Sequence, residues 1–207
     1  TYHGTYNEGF PGKRLYNSVM ARGDRVIAIS EFIAGIVRDR HGVPAERLRV
    51  ILRGVDERAF DPARVAPERI AALREAWALP EGRPVVMLPA RITRWKGHAA
   101  DMPAALLLAD VVVHASTDAE AFGRTVIEAQ AMERCVVASD LGGPRETVEQ
   151  GVTGLRVPPG DPAALAAAIA RLLAMPPAER AAMGARARAA VLATCTTARM
   201  QAATLDV

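Results

Sequence analysis

Ala109-Asp-Val-Val-Val113, followed by Glu120-Ala-Phe-Gly-Arg-Thr-Val-Ile-Glu128, is the stretch on which the fold turns. The apolar run reads as a strand, Phe122-Gly123 as a loop-to-helix junction, and the residues after it as a helix N-terminus. That is the place where α/β proteins present backbone N–H groups to a phosphate. Glu120 falls in the loop and Glu128 about two turns further on, so the two acids flank the helix end and do not stack on one another.

Working outward, the same strand-then-helix step recurs. Arg25-Val-Ile-Ala-Ile-Ser30 is a short β-rich run whose last hydroxyl can cap a helix from Glu31 to about Arg40, closed by Gly42. Leu48–Leu52 is a second strand. Asp61-Pro-Ala-Arg-Val-Ala-Pro67 carries two prolines and marks a boundary, after which Glu68–Trp77 has an amphipathic helical rhythm. Strands are expected again at Val85–Leu88, Val111–Ala115, Cys135–Ser139 and Leu155–Val157, with helical patterns between them. Asp161-Pro162 opens a helix to Ala174, and an Ala- and Arg-rich helix runs from Pro176 to about Cys195. Alternating strands and helices imply a parallel sheet.

Composition narrows the function classes. A chain of 207 residues, half of them apolar, can bury a core and hold one large or two small domains. A net charge of +3 with both signs interspersed, and only 4% aromatic residues, argues against a nucleic-acid binder. Cys135 and Cys195 lack metal or redox spacing and suit buried thiols in a reducing compartment. No window reaches the length of an apolar membrane span, and no leader pattern opens the chain. Its first residue is Thr1, so it is expected to begin inside a longer protein.

Several small motifs carry chemistry. Arg91 and Lys96, just past the strand Val85–Leu88, stand where open α/β sheets bind ligands. They suit a diphosphate, which Arg can grip bidentately while Lys adds a point charge, although a solvated basic turn would look the same. Glu120 and Glu128 could be ordinary acids at a helix start. Phe122-Gly123 favours a site, because glycine there lets backbone approach a ligand and an acid behind it can accept hydrogen bonds from sugar hydroxyls. Gly142-Gly143-Pro144-Arg145-Glu146 repeats the strand, glycine turn and helix start one unit later.

Taken together, Glu120 to Met132, Val136 to Glu146 and Gly151 to Val157, with Arg91 and Lys96, resemble the donor domain of retaining glycosyltransferases of family four. Arg25–Val37 and Arg49–Asp56 resemble the end of that family's acceptor domain. The resemblance implies a GT-B type α/β fold with two Rossmann-like parallel-sheet domains, here incomplete. Residues 1–62 would be the remainder of the acceptor-side domain, 63–80 a linker and helix, 81–190 the nucleotide-sugar donor domain, and 191–207 a C-terminal crossover helix. Against the family pattern, most of the N-terminal domain is absent before Thr1, and Lys96-Gly-His98 runs almost directly into Asp101, where two further strand and helix units are usual.

The implied reaction moves a hexose from a nucleoside diphosphate sugar, UDP rather than GDP, to a hydroxyl acceptor with retention. No metal or cofactor is implied. Arg91 and Lys96 would hold the diphosphate and Glu128 the ribose hydroxyls. Glu120, with the Phe122 and Gly123 amides, would bind the transferred sugar. His3 would face that sugar and the acceptor from across the cleft, while His41 and His114 read as structural. The acceptor would be a carbohydrate or lipid-linked glycan of the lipopolysaccharide type, placing the protein in the cytoplasm or peripheral to the inner face of its membrane, in polysaccharide biosynthesis. A degenerate donor-binding remnant, or a nucleotide-sugar epimerase of similar fold, are the alternatives.

Overall fold

The computed structural model describes residues 1–6, 9, 11–89 and 101–207. In chain order its elements are α1 (Pro11–Ser18), β1 (Val26–Ala28), α2 (Glu31–His41), β2 (Leu48–Val50), α3 (Pro67–Ala76), β3 (Val86–Met87), α4 (Met102–Leu108), β4 (Val111–His114), α5 (Arg124–Ala131), β5 (Cys135–Ser139), α6 (Pro144–Thr147), β6 (Leu155–Val157), α7 (Pro162–Ala174), α8 (Pro177–Thr194) and α9 (Thr197–Leu205).

The strands form two parallel sheets. One pairs β1 with β2, extended by a bridge from Tyr2 to Ala28; the other runs β3-β4-β5-β6 in sequence order. The helices between successive strands make every pairing parallel, as a strand-helix-strand crossover requires.

The period of two along β4 and β5 decides which helices lie on which face. Val111, Val113, Cys135 and Val137 point into a core with Leu155, Leu172 and Met183, which seats α7 and α8. Their neighbours Val112, Val136 and Ala138 point the other way, onto Leu106 of α4 and Val126, Ala129 and Met132 around α5. Helix starts are fixed by local chemistry. Asp101 and Asp161 accept hydrogen bonds from the Ala104 and Ala164 amides at 3.2 and 2.9 Å, each with proline in the first turn.

A third core joins the β1–β2 unit to the larger sheet, since Val26, Ala28 and Ile33 pack with Phe122 and Ile127 of the β4–α5 region and with Val191 and Cys195 of the α8 end. Hydrogen bonds cross the same boundary. Val55 N–H donates to the Cys195 carbonyl at 2.8 Å, and Thr197 N–H returns to the Val55 carbonyl at 3.0 Å. Arg188 of α8 reaches the Phe60 carbonyl and Asp61 Oδ1, both at 3.1 Å, tying the segment before α3 to that helix. The chain passes from α8 to α9 at Cys195–Thr196, where Thr196 caps α9. Among the described residues no helix is long and apolar enough to cross a membrane.

Candidate functional site

The carboxyl ends of β1, β3 and β4 face a cleft of about 850 Å³ lined by residues from both units. From the β1–β2 side come His3, Ile29 and Arg53. From the larger sheet come His114, Glu120, Phe122, Gly123, Arg124 and Glu128. Five of the residues singled out from sequence, His3, Glu120, Phe122, Gly123 and Glu128, therefore share one cavity. Arg91 and Lys96 lie outside the described residues.

The loop after β4 is held from three directions. Phe122 is buried in the shared core and anchors the loop, and burying a side chain of this size contributes about 1.5–3 kcal/mol. Ser30 Oγ donates to the Ala121 carbonyl at 2.6 Å from the opposite unit. From behind, Gly143 N–H donates to the Glu120 carbonyl at 2.8 Å. A Cβ on Gly142 would strike the Glu120 backbone, and one on Gly143 the Phe122 backbone. The Gly142-Gly143 turn thus supports the Glu120 loop by close backbone packing.

Gly123 stands at the head of α5 with φ +86°, where a side chain would be strained and would also press on Pro144 at 2.9 Å. Its carbonyl accepts from the Val126 and Ile127 amides at 3.0 and 3.4 Å. That leaves the Arg124 and Thr125 amides with no acceptor inside the helix, both residues lining the cleft at the positive end of the α5 dipole.

The two acids differ in setting. Glu128 is 13% exposed and meets Arg124 Nη2 at 3.2 Å one turn back along α5. Burial pushes its carboxyl above the ordinary carboxylate range, and Arg124 only partly opposes this. Glu120 is 42% exposed, and its Oε2 is in very short contact with His114 Nε2 at the end of β4. His114 therefore belongs to the cleft, contrary to its reading as a structural residue; its Nδ1 is buried with no partner among the described residues. His41 instead bonds the buried Tyr2 hydroxyl at 3.1 Å through Nε2, away from the cleft.

Across the cavity His3 Nδ1 lies 2.8 Å from Arg53 Nη2. Partial burial, then the Arg53 charge, lower its proton affinity below the usual histidine value. Arg53 and His114 are among the cleft residues that the sequence did not single out. The signal for both was position, each standing at or just past the carboxyl end of a predicted strand.

Residues 72–175, half of the chain, match the family model described as glycosyl transferases group 1, and residues 1–59 match that of glycosyltransferase family 4. The chain belongs to the group 1 glycosyl transferases. A phosphatidyl-myo-inositol mannosyltransferase of Mycobacterium leprae is 43% identical over 74 residues, a stretch spanning 36% of this chain and 20% of that protein. The crystal structure of a glycosyltransferase from Rickettsia africae superposes with a TM-score of 0.87 at 27% identity, covering 98% of this chain and 67% of the other. Anabaena HepE, solved in complex with UDP-glucose, superposes with a TM-score of 0.79 at 23% identity over 96% of this chain and 68% of that one, a likeness of fold. The α/β architecture with its parallel sheets is of the GT-B type found in these group 1 and family 4 relatives.

Proposed function

We propose that this protein transfers a hexose from a nucleoside diphosphate sugar to a hydroxyl acceptor with retention at the anomeric carbon. One observation carries the reading: Glu120, the Phe122-Gly123 junction at the head of α5 and the half-sequestered Glu128 share one cleft wall, with His3 on the opposite one.

Each group has a task suited to its chemistry. Glu128, ionised on binding, accepts hydrogen bonds from the ribose hydroxyls, and its low exposure raises the strength of those bonds. Glu120, steadied by His114, takes a hydroxyl of the transferred sugar, together with the Phe122 and Gly123 amides. The Arg124 and Thr125 amides at the positive end of α5 face the diphosphate. Arg91 and Lys96 complete its neutralisation as the leaving group departs, the electrostatic work that a divalent ion performs in other enzymes. Glu120 acts here as a sugar ligand, with no nucleophilic role assigned to it.

UDP is the favoured nucleotide; it is the one bound in the HepE structure of the same fold. The acceptor is a carbohydrate or lipid-linked glycan, handled in the cytoplasm or at the inner face of its membrane. The Mycobacterium leprae relative, named as a phosphatidyl-myo-inositol mannosyltransferase, supports a lipid-linked substrate. The test is sugar transfer by a Glu128→Gln variant. Losing one charged hydrogen-bond acceptor contributes about 1.5–3 kcal/mol, so turnover per unit of donor falls roughly ten- to hundredfold while the melting curve stays cooperative. Unchanged transfer would contradict the assignment.

A further inference from the structure

The geometry points to Arg53 as a positioning residue that fixes His3 with its ring proton on Nε2, so that His3 meets a ligand as a hydrogen-bond donor and not as a base. A guanidinium has five N–H donors and no acceptor. At 2.8 Å from Arg53 Nη2, His3 Nδ1 must therefore be the acceptor and carries no proton. The proton of the uncharged ring then sits on Nε2. In this state neither nitrogen offers a free lone pair: that of Nδ1 is taken by Arg53, and Nε2 bears hydrogen.

Protonating the ring would set a second N–H against the Arg53 fork, and partial burial opposes the charge as well. Among the described residues, Glu120, Glu128, Arg124 and His114 line the far wall of the same cavity and are the other charged or titratable groups that face His3 there. The two histidines of the cleft are consequently set in opposite ways. His114 is hydrogen-bonded to a carboxylate, whereas His3 is paired with a cation. A donor at His3 Nε2 suits a sugar or acceptor oxygen, and proton removal from the acceptor falls to another group.

The inference deepens the donor-cleft reading, yet it is tested without substrate, so the two fail separately. The chain is labelled with nitrogen-15 and its histidine ring nitrogens are followed through a pH titration, the His3 signals being assigned by their loss in His3→Gln. The expected spectrum shows His3 protonated on Nε2 above its midpoint, and a midpoint below the usual 6.5. Arg53→Met, which keeps the length but not the charge, raises that midpoint by about half a pH unit, a threefold gain in proton affinity. Arg53→Lys keeps the charge and leaves the midpoint below that of the Met variant. A proton on Nδ1 in the wild type, or the same midpoint in wild type and Arg53→Met, would overturn the proposal.

Discussion

The carboxylate of Glu146 crosses from α6 to the start of α2 and accepts hydrogen bonds from the Glu31 and Phe32 amides at 2.8 and 2.7 Å. With Ser30 Oγ taking the Ile33 amide at 3.1 Å and the Ser30 carbonyl taking that of Ala34 at 2.9 Å, the first four amides of α2 all have acceptors. Glu146→Ala frees two of them. Bonds to a charged acceptor contribute more than neutral ones, but this contact is exposed and water replaces part of the loss. A net cost of about 1–2 kcal/mol follows, which for a chain of this length lowers the melting temperature by about 2–8 °C. Glu146→Gln keeps one good acceptor without the charge and falls about half as far. Differential scanning calorimetry reads both, with Glu149→Ala as the control for removing one negative charge from the same exposed stretch. If Glu146→Ala melts within about 1 °C of the wild type, the carboxylate does not clasp the two units together and the account of their junction fails.

Gly143→Ala should be costlier, because the new Cβ meets the Phe122 backbone, which cannot swing aside as a flexible side chain would. Overpacking of this kind costs about 1–3 kcal/mol, and a displaced Glu120 loop should also weaken ligand binding; a variant with wild-type melting and binding would show that the loop does not rest on the glycine turn. Glu128 supplies a pH signature. Its carboxyl is raised by burial, so the folded state holds a proton that the unfolded chain has released. Its contribution is favourable below the ordinary carboxylate value of 4.5 and is lost as pH rises through the raised folded value. Glu128→Gln should therefore stabilise the protein at neutral pH relative to the wild type and lose that advantage below about pH 4. Equal melting differences at both pH values would contradict the burial of this acid.

The elements legible from sequence were those with local punctuation. Ser30 before Glu31, Asp161-Pro162 and the valine runs of β4 and β5 each state their element within a few residues, and the structure has α2, α7 and both strands there. Strands with weaker patterns came out shorter, β1 at Val26–Ala28 and β3 at Val86–Met87, since pairing and not propensity sets where a ladder ends. The apolar residues Leu15 and Tyr16 of α1 are largely exposed, so no buried apolar face announced that helix. The cleft was legible where its residues follow one strand, as Glu120, Phe122, Gly123 and Glu128 do. Its cross-chain pairs were not. Arg53 meets His3, and Glu146 meets Glu31 and Phe32, only after two distant strand-helix units have packed together. His114 was passed over because a histidine closing an apolar run looks like a core residue until the loop after it turns back and brings Glu120 to its ring.

The cleft around Glu120, Phe122, Gly123 and Glu128 is proposed to take a nucleoside diphosphate sugar. Amide chemical shifts in the nitrogen-15 labelled chain, followed during titration with UDP-glucose, test it most directly. Saturable shifts confined to the cleft are expected, with Gly123, Arg124 and Thr125 among the largest, and their loss for the same ligand in Glu128→Ala. Unmoved amides at the head of α5 under saturating UDP-, GDP- and ADP-sugars, in a chain that remains folded, would contradict it.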